Sequence, residues 1–167
     1  YDVLASDRSQ YLNIAEQASK VTIPYLIHQD DNSKGARNLV TPWQAIGAKG
    51  VVTLASKLML ALLPPQTSFF KLQVDDSKLG EYGPEIKSEL DFAFAKVERI
   101  ILEQIAASDD RVVVHQALKH LVVGGNALIF MGKDNLKLYP LNRYVVDRDG
   151  NGNVIEIVTK ERISKKL

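Results

Sequence analysis

An acidic stretch near the C-terminal end of the chain has the residue types and spacing that begin a calcium-binding loop. Asp147, Asp149 and Asn151 occupy the first, third and fifth positions of such a loop and Gly152 the sixth, where oxygen ligands and a glycine suit Ca²⁺. The twelfth position should supply a bidentate glutamate, but it is Val158. The flanking residues alternate as strands do, whereas calcium loops of this kind join helices. Because Asp, Asn and Gly are typical of tight turns, we interpret the stretch as a hairpin loop.

The three histidines, which include His28, lack the spacing of a zinc-binding pair. His115 and His120 lie five positions apart, which separates them by about 140° around an ideal helix. A zinc pair on a helix prefers a spacing of four, with a glutamate between the histidines. No serine stands in a G-x-S-x-G nucleophile elbow. We therefore assign structural roles to the histidines and predict no catalytic residue, cofactor or metal.

A glycine pair could suggest a phosphate-binding loop. Gly124, Gly125 and Asn126 follow a predicted helix and precede a predicted strand. A phosphate-binding loop requires the reverse order, in which a strand leads through glycines into a helix N-terminus. The glycines are therefore interpreted as the C-cap of a helix.

The amino-acid composition excludes several classes of protein. The 167 residues are 46% hydrophobic and 25% charged, with 21 basic and 20 acidic side chains and a formal net charge of +1. This balance argues against an autonomous nucleic-acid binder, which usually carries a basic excess. The absence of cysteine excludes disulfides and thiol chemistry, and no continuously apolar stretch predicts a membrane span. Because the first residue is Tyr1 and not methionine, we expect a piece of a longer protein.

Hydrophobic periodicity predicts about four helices that must position these residues. They extend from Ser6, as N-cap, to Lys20; from Pro42, with Thr41 as N-cap, to Leu63; from Pro84 through Ile105; and from Asp110, capped by Ser108 and Asp109, to Val123. The third helix has the clearest stripe, formed by Ile86, Leu90, Phe94, Val97, Ile101 and Ile105.

The second helix combines small residues with an apolar stripe. Gly47 and Gly50 are unfavourable inside a helix, by up to about 1 kcal/mol each relative to alanine. The small residues Ala45, Gly47, Ala48 and Gly50 together indicate that a neighbouring backbone approaches closely. The stripe predicted to be buried consists of Leu54, Leu58, Ala61 and Leu62.

Alternating and turn-forming residues predict short strands. One is expected over Ser68–Val74, and four more over Ala127–Met131, Leu136–Tyr139, Tyr144–Asp147 and Val154–Thr159. We therefore expect an α+β fold, mainly helical over residues 1–126 with one short strand, and β-rich over residues 127–167 with short antiparallel strands.

Five sequence motifs together resemble a known family. They are residues 41–50 (TPWQAIGAKG), 54–64 (LASKLMLALLP), 97–101 (VERII), 117–126 (ALKHLVVGGN) and 138–149 (LYPLNRYVVDRD). In order and spacing this chain resembles the portal proteins, or head-to-tail connectors, of short-tailed bacteriophages of the podovirus (autographivirus) type. The resemblance covers nearly the whole chain, and the motifs around Trp43 and Tyr144 are the most specific.

The resemblance implies a structural virion protein rather than an enzyme. Portal proteins form a ring, typically of twelve subunits, at one capsid vertex, through which double-stranded DNA is packaged and ejected. Implied partners are capsid protein, scaffolding protein, terminase and tail adaptor proteins; DNA contacts would be non-specific and made through the assembled channel. The implied location is the virion, after assembly in the host cytoplasm. This chain would be the N-terminal wing region, without the extreme N-terminus, and the stem, clip and crown would lie beyond it.

The candidate contact residues come from the first motif. Thr41, Pro42, Trp43 and Gln44 are predicted to contact another subunit or domain, although Trp43 could instead be an ordinary core anchor. Two other functions remain as alternatives: a small hydrolase that uses Asp147, Asp149 and a histidine, and a calcium-binding adaptor that uses the Asp147–Asn153 loop.

Overall fold

The computed structural model describes residues 1–28, 40–65, 67–73, 84–133 and 135–161. Within these residues, five α-helices precede two β-hairpins. The helices are α1 (Asp2–Asp7), α2 (Ser9–Val21), α3 (Ile46–Leu62), α4 (Pro84–Ala107) and α5 (Asp110–Gly124). The strands are β1 (Leu128–Met131), β2 (Leu136–Tyr139), β3 (Tyr144–Arg148) and β4 (Val154–Thr159), with a 3₁₀ turn at Leu141–Arg143. The predicted α+β class is confirmed.

The N-terminal helical segment is two helices rather than one. It begins at Asp2, breaks at Arg8 and continues to Val21, so Ser6 lies inside α1 and the prediction that it is an N-cap is wrong. The carboxylate of Asp2 lies in the first turn of α1, where it interacts favourably with the positive end of the helix dipole.

Helix α3 starts later than predicted and buries a different face. Its N-cap is Ala45, so the prediction of a Thr41 cap and of a helix start at Pro42 is wrong. Its buried residues are Val51, Ala55 and Met59, whereas the predicted stripe of Leu54, Leu58, Ala61 and Leu62 is exposed or half-buried. Both stripes have helical spacing, and the packing of α3 against α5 decides which one is covered.

One of the two glycines of α3 marks a close approach of backbones. A Cβ atom at Gly47 would lie 2.6 Å from the carbonyl oxygen of Val21 and 3.3 Å from Cγ2 of Thr22, so α3 rests directly on the end of α2. A Cβ atom at Gly50 would have nothing within 4 Å. The predicted close approach is confirmed at Gly47 and wrong at Gly50.

Helix α4 is the long third helix that the periodicity predicts, but its stripe is only partly covered. Ile86 and Val97 are exposed, and the other stripe residues are half-buried. The strand predicted over Ser68–Val74 is wrong for its described part, since residues 67–73 carry no strand; Val74 lies outside the described residues. The backbone N–H of Leu72 donates instead to Oε1 of Glu98 on α4, at 2.5 Å.

Helix α5 and the hairpins follow the sequence closely. Gly125 has φ +70° in the left-handed C-cap of α5, which confirms the C-cap interpretation of the glycines. Strands β1 and β2 pair antiparallel, as do β3 and β4, in two separate sheets. The four strands predicted after residue 126 are therefore confirmed to within one residue at each end.

The main core lies where α2, residues 23–27, the end of α5 and the start of β3 meet. Its buried members are Ala15, Ile23, Leu26, Ile27, Val51, Tyr139, Leu141 and Tyr144. A smaller cluster between α3 and α5 contains Ala55, Met59 and Leu118. Helix α5 takes part in both clusters, through the partly buried Val122 and Val123 in the first and through Leu118 in the second.

The two glycines of α3 form a matched pair for measuring the α2–α3 contact. Gly47→Ala should lower the free energy of unfolding by about 1–3 kcal/mol, because a backbone carbonyl must move to admit the new methyl group. Gly50→Ala should instead raise it, by up to about 1 kcal/mol, because alanine favours the helix and meets no neighbour. Urea denaturation of both variants measures the difference. A change of the same sign at both positions would contradict the contact.

Candidate interaction surface

The segment that leads into α3 carries the predicted contact residues. Thr41, Pro42, Trp43 and Gln44 precede the helix without regular structure, and the side chain of Trp43 is fully exposed. The alternative that Trp43 is a core anchor of this chain is therefore wrong. Ile46 and Val40 beside it are also largely exposed. We call residues 40–46 the Trp43 segment; sequence reasoning missed Val40 and Ile46, although three large apolar residues within seven positions were a visible signal.

An apolar groove opens at the other end of α3. It has a volume of about 470 Å³ and lies between the end of α3, the end of α4, the start of α5 and the β1–β2 turn. Its apolar lining consists of Leu63, Phe69, Ile105, Val114, Met131 and Leu136. Sequence reasoning could not find this groove, because its walls come from segments that are distant along the chain.

Two charged residues at the start of α5 hold the walls of this apolar groove. Nη2 of Arg111 donates to the carbonyl oxygen of Leu63 at 2.7 Å, which fixes the end of α3. The carboxylate of Asp110 accepts the backbone N–H of Leu136 at 3.1 Å, which fixes the start of β2. Both side chains thus bind backbone groups of neighbouring elements, and the groove between those elements keeps a defined shape.

A second, more polar cavity lies further along α5. It has a volume of about 290 Å³ and is lined by Tyr25, Leu26, Gln116, Lys119, His120 and Pro140. His120 is 7% exposed, and its buried Nδ1 has no hydrogen-bond partner among the described residues. Burial lowers the pKa of His120 below its ordinary value of 6.5, because a charged imidazolium is poorly solvated there.

The three histidines lie in three separate environments. Nδ1 of His28 is 3.4 Å from the carboxylate of Glu16, and Nε2 of His115 is 3.4 Å from the hydroxyl of Ser56. Burial, and then the charge of Lys119, lower the pKa of His115. In the part of the chain that the structure describes, no group of three His, Cys, Asp or Glu side chains could hold a metal ion.

The acidic stretch is the turn of the second hairpin. The carboxylate of Asp149 accepts the backbone N–H groups of Asn151 at 2.9 Å and Asn153 at 2.7 Å, and the Asn153 side-chain amide at 2.9 Å. These bonds, foremost those from Asn153, lower the pKa of Asp149. Asp147 lies on β3 opposite Glu156. The hairpin interpretation is confirmed, and the carboxylate oxygens of Asp149 accept hydrogen bonds within the turn itself.

Among the described residues, none of the helices combines the length and the apolar character needed to cross a bilayer.

Comparison with known proteins identifies the family. The family of bacteriophage head to tail connecting proteins matches residues 1–166. The portal protein of Enterobacteria phage T3 is 41% identical over 98% of this chain and 32% of its own length, and that of Escherichia phage T7 is 38% identical over the same shares. The portal protein of Enterobacteria phage SP6 is 31% identical over 95% of this chain and 31% of its own length.

These matches define a class of phage protein that joins head and tail. The chain belongs to the bacteriophage head to tail connecting protein family, and its matched relatives are portal proteins of podoviruses. The resemblance seen in the sequence motifs is confirmed. The chain spans about a third of the length of these relatives.

The burial of His120 predicts a pH dependence of stability. The unfolded chain binds a proton at the ordinary pKa of 6.5, whereas the folded chain binds it only at lower pH. The unfolded state therefore holds more protons in this interval, and the free energy of unfolding should fall as pH drops below 6.5. His120→Gln should flatten this dependence, and His115→Gln, at a less buried position, should change it less. Urea denaturation over the range in which histidine titrates, roughly pH 5 to 8, measures both effects. Identical slopes in all proteins would contradict the prediction.

The hydrogen bond from Arg111 to Leu63 should contribute more to the free energy of unfolding than an exposed ion pair does. Arg111→Ala should lower the free energy of unfolding by about 1.5 kcal/mol, because a charged donor to the Leu63 carbonyl is lost. Arg99→Ala removes an exposed pair with Glu103 and should cost at most about 0.5 kcal/mol. Thermal unfolding of the two variants provides the comparison, and equal effects would contradict the role of Arg111.

Proposed function

We propose that the full-length protein is a subunit of a ring-shaped portal at one vertex of the capsid. The observation that supports this proposal most strongly is the match of 98% of the chain to the portal proteins of phages T3 and T7. The chain would form the N-terminal wing region of each subunit, with a helical portion over residues 1–126 and a β-rich portion over residues 127–167. The remaining length would supply the stem, clip and crown.

The proposed mechanism is mechanical rather than enzymatic. The ring, of twelve subunits, admits DNA during packaging, retains it and releases it during ejection, while terminase and tail adaptor proteins bind at its ends. Capsid and scaffolding proteins are the proposed partners during assembly in the host cytoplasm. The net charge of +1 supports a passive conduit, because each neutralised phosphate would add salt-dependent affinity and slow DNA transit.

The distribution of apolar surface supports assembly into a ring. A cyclic ring needs two different patches on each subunit, since every contact is heterologous. The chain presents separate apolar surfaces, among them the Trp43 segment and the apolar groove. Thr41, Pro42, Trp43 and Gln44 are therefore proposed as subunit-contact residues. Neither the geometry of the described residues nor the comparisons favour a hydrolase or a calcium-binding adaptor.

Assembly of the full-length protein tests this proposal. Native mass spectrometry and negative-stain microscopy should show closed rings with a central channel and a mass close to twelve subunits. Incubation with ATP should release no phosphate, because the ring is not proposed to be the motor. A protein that stays monomeric at micromolar concentration, or that hydrolyses ATP by itself, would contradict the proposed function.

A further inference from the structure

The Trp43 segment and the apolar groove lie at opposite ends of the same helix. The segment leads into the N-terminus of α3, and Leu63 in the groove wall directly follows its C-terminus. Helix α3 has 17 residues and is therefore about 25 Å long. The indole of Trp43 cannot reach the groove of its own subunit across this distance.

The two features are complementary in chemistry and size. Trp43 is a large apolar side chain with its full surface exposed, and tryptophan gains more from burial than most residues. The groove has about 470 Å³ of space, enough for one indole ring. Met131 in its wall is 80% exposed and would be covered by such a guest.

The charges around the groove also suit an aromatic guest. Arg111 and Lys133 belong to its lining, and cationic groups bind favourably to the face of an indole ring. The acidic residue of the lining, Asp110, already accepts the backbone N–H of Leu136. The groove therefore combines an apolar wall with two cations, Lys133 and Arg111, of which Arg111 also donates to the Leu63 carbonyl. Its carboxylate is engaged by its own hairpin.

We propose that Trp43 of one subunit inserts into the apolar groove of the adjacent subunit. This inference rests on the proposed ring and names one contact within it. Each subunit would give its tryptophan to one neighbour and accept the tryptophan of the other. Such a heterologous contact repeats around the assembly and closes if the rotation between subunits allows.

Disulfide trapping tests the contact directly, because this chain contains no cysteine. Trp43→Cys and Met131→Cys are introduced together into the full-length protein, after replacement of any cysteines outside this chain. Mild oxidation should then produce a ladder of covalent multimers that reaches the ring size. A bond within one subunit is not expected, since a disulfide needs Cα atoms about 4.4–6.8 Å apart. The matched control pairs Phe92→Cys, a largely exposed aromatic on α4, with Met131→Cys and should give no ladder.

A second variant, which introduces no cysteine, measures how much the contact contributes to assembly. Trp43→Ala should raise the monomer fraction of the full-length protein by at least about tenfold, whereas Phe92→Ala should leave the rings intact. Normal rings from Trp43→Ala, together with no ladder from the protein that carries Trp43→Cys and Met131→Cys, would overturn this inference and leave the proposed function standing. Covalent dimers alone would also overturn it, since they indicate a two-fold contact. Absence of rings from the unmutated protein would overturn the proposed function itself.

Discussion

The position of Ile27 is the constraint on which the rest of the structure depends. The buried hydroxyl of Ser19 donates to the carbonyl of Ile23 at 2.7 Å and accepts the N–H of Ile27 at 3.2 Å. These two bonds satisfy backbone groups that could not otherwise be buried without a large penalty. They also direct Ile27 against Gly124, where an added Cβ would lie 2.8 Å from its terminal methyl group. The end of α2 and the end of α5 are thereby fixed to each other at the centre of the core.

The second hairpin is joined to this centre through Tyr144. The ring of Tyr144 is 1% exposed, and its hydroxyl donates to Oδ1 of Asn126 just beyond the α5 C-cap, at 3.0 Å. Burial raises the pKa of Tyr144 to about 12, so the hydroxyl stays a donor throughout the physiological range. The guanidinium of Arg8 lies 5.2 Å from the same ring, which connects the α1–α2 junction to β3. One end of α5 therefore belongs to the core, and its other end builds the apolar groove.

The sequence was most informative where local signals were sufficient. The ends of α5 and the hairpin strands were predictable because αL glycines, turn residues and strand alternation act over a few residues. The buried face of α3 was not predictable, because two stripes with the same period compete. The choice depends on packing against α5, which is distant along the chain; Ser56 and His115, which are in contact, are 59 positions apart. The family motif identified the Trp43 segment, but its exposure depends on how α3 meets α2. The groove and the polar cavity needed the assembled fold.

Helix α3 is the element on whose placement the proposed ring would depend. In the proposed contact, the tryptophan and the groove are joined by this one helix, so any change in its direction rotates each subunit against the next. Gly47 holds the first turn of α3 against the carbonyl of Val21, and Arg111 holds the residue after its last turn. Closure of a ring requires the same rotation between subunits at every interface. A helix whose two ends are fixed by contacts to backbone groups meets that requirement better than a helix held by side-chain packing alone. The close approach at Gly47 and the bond to Leu63 thus connect the internal packing of one subunit to the geometry of the whole assembly.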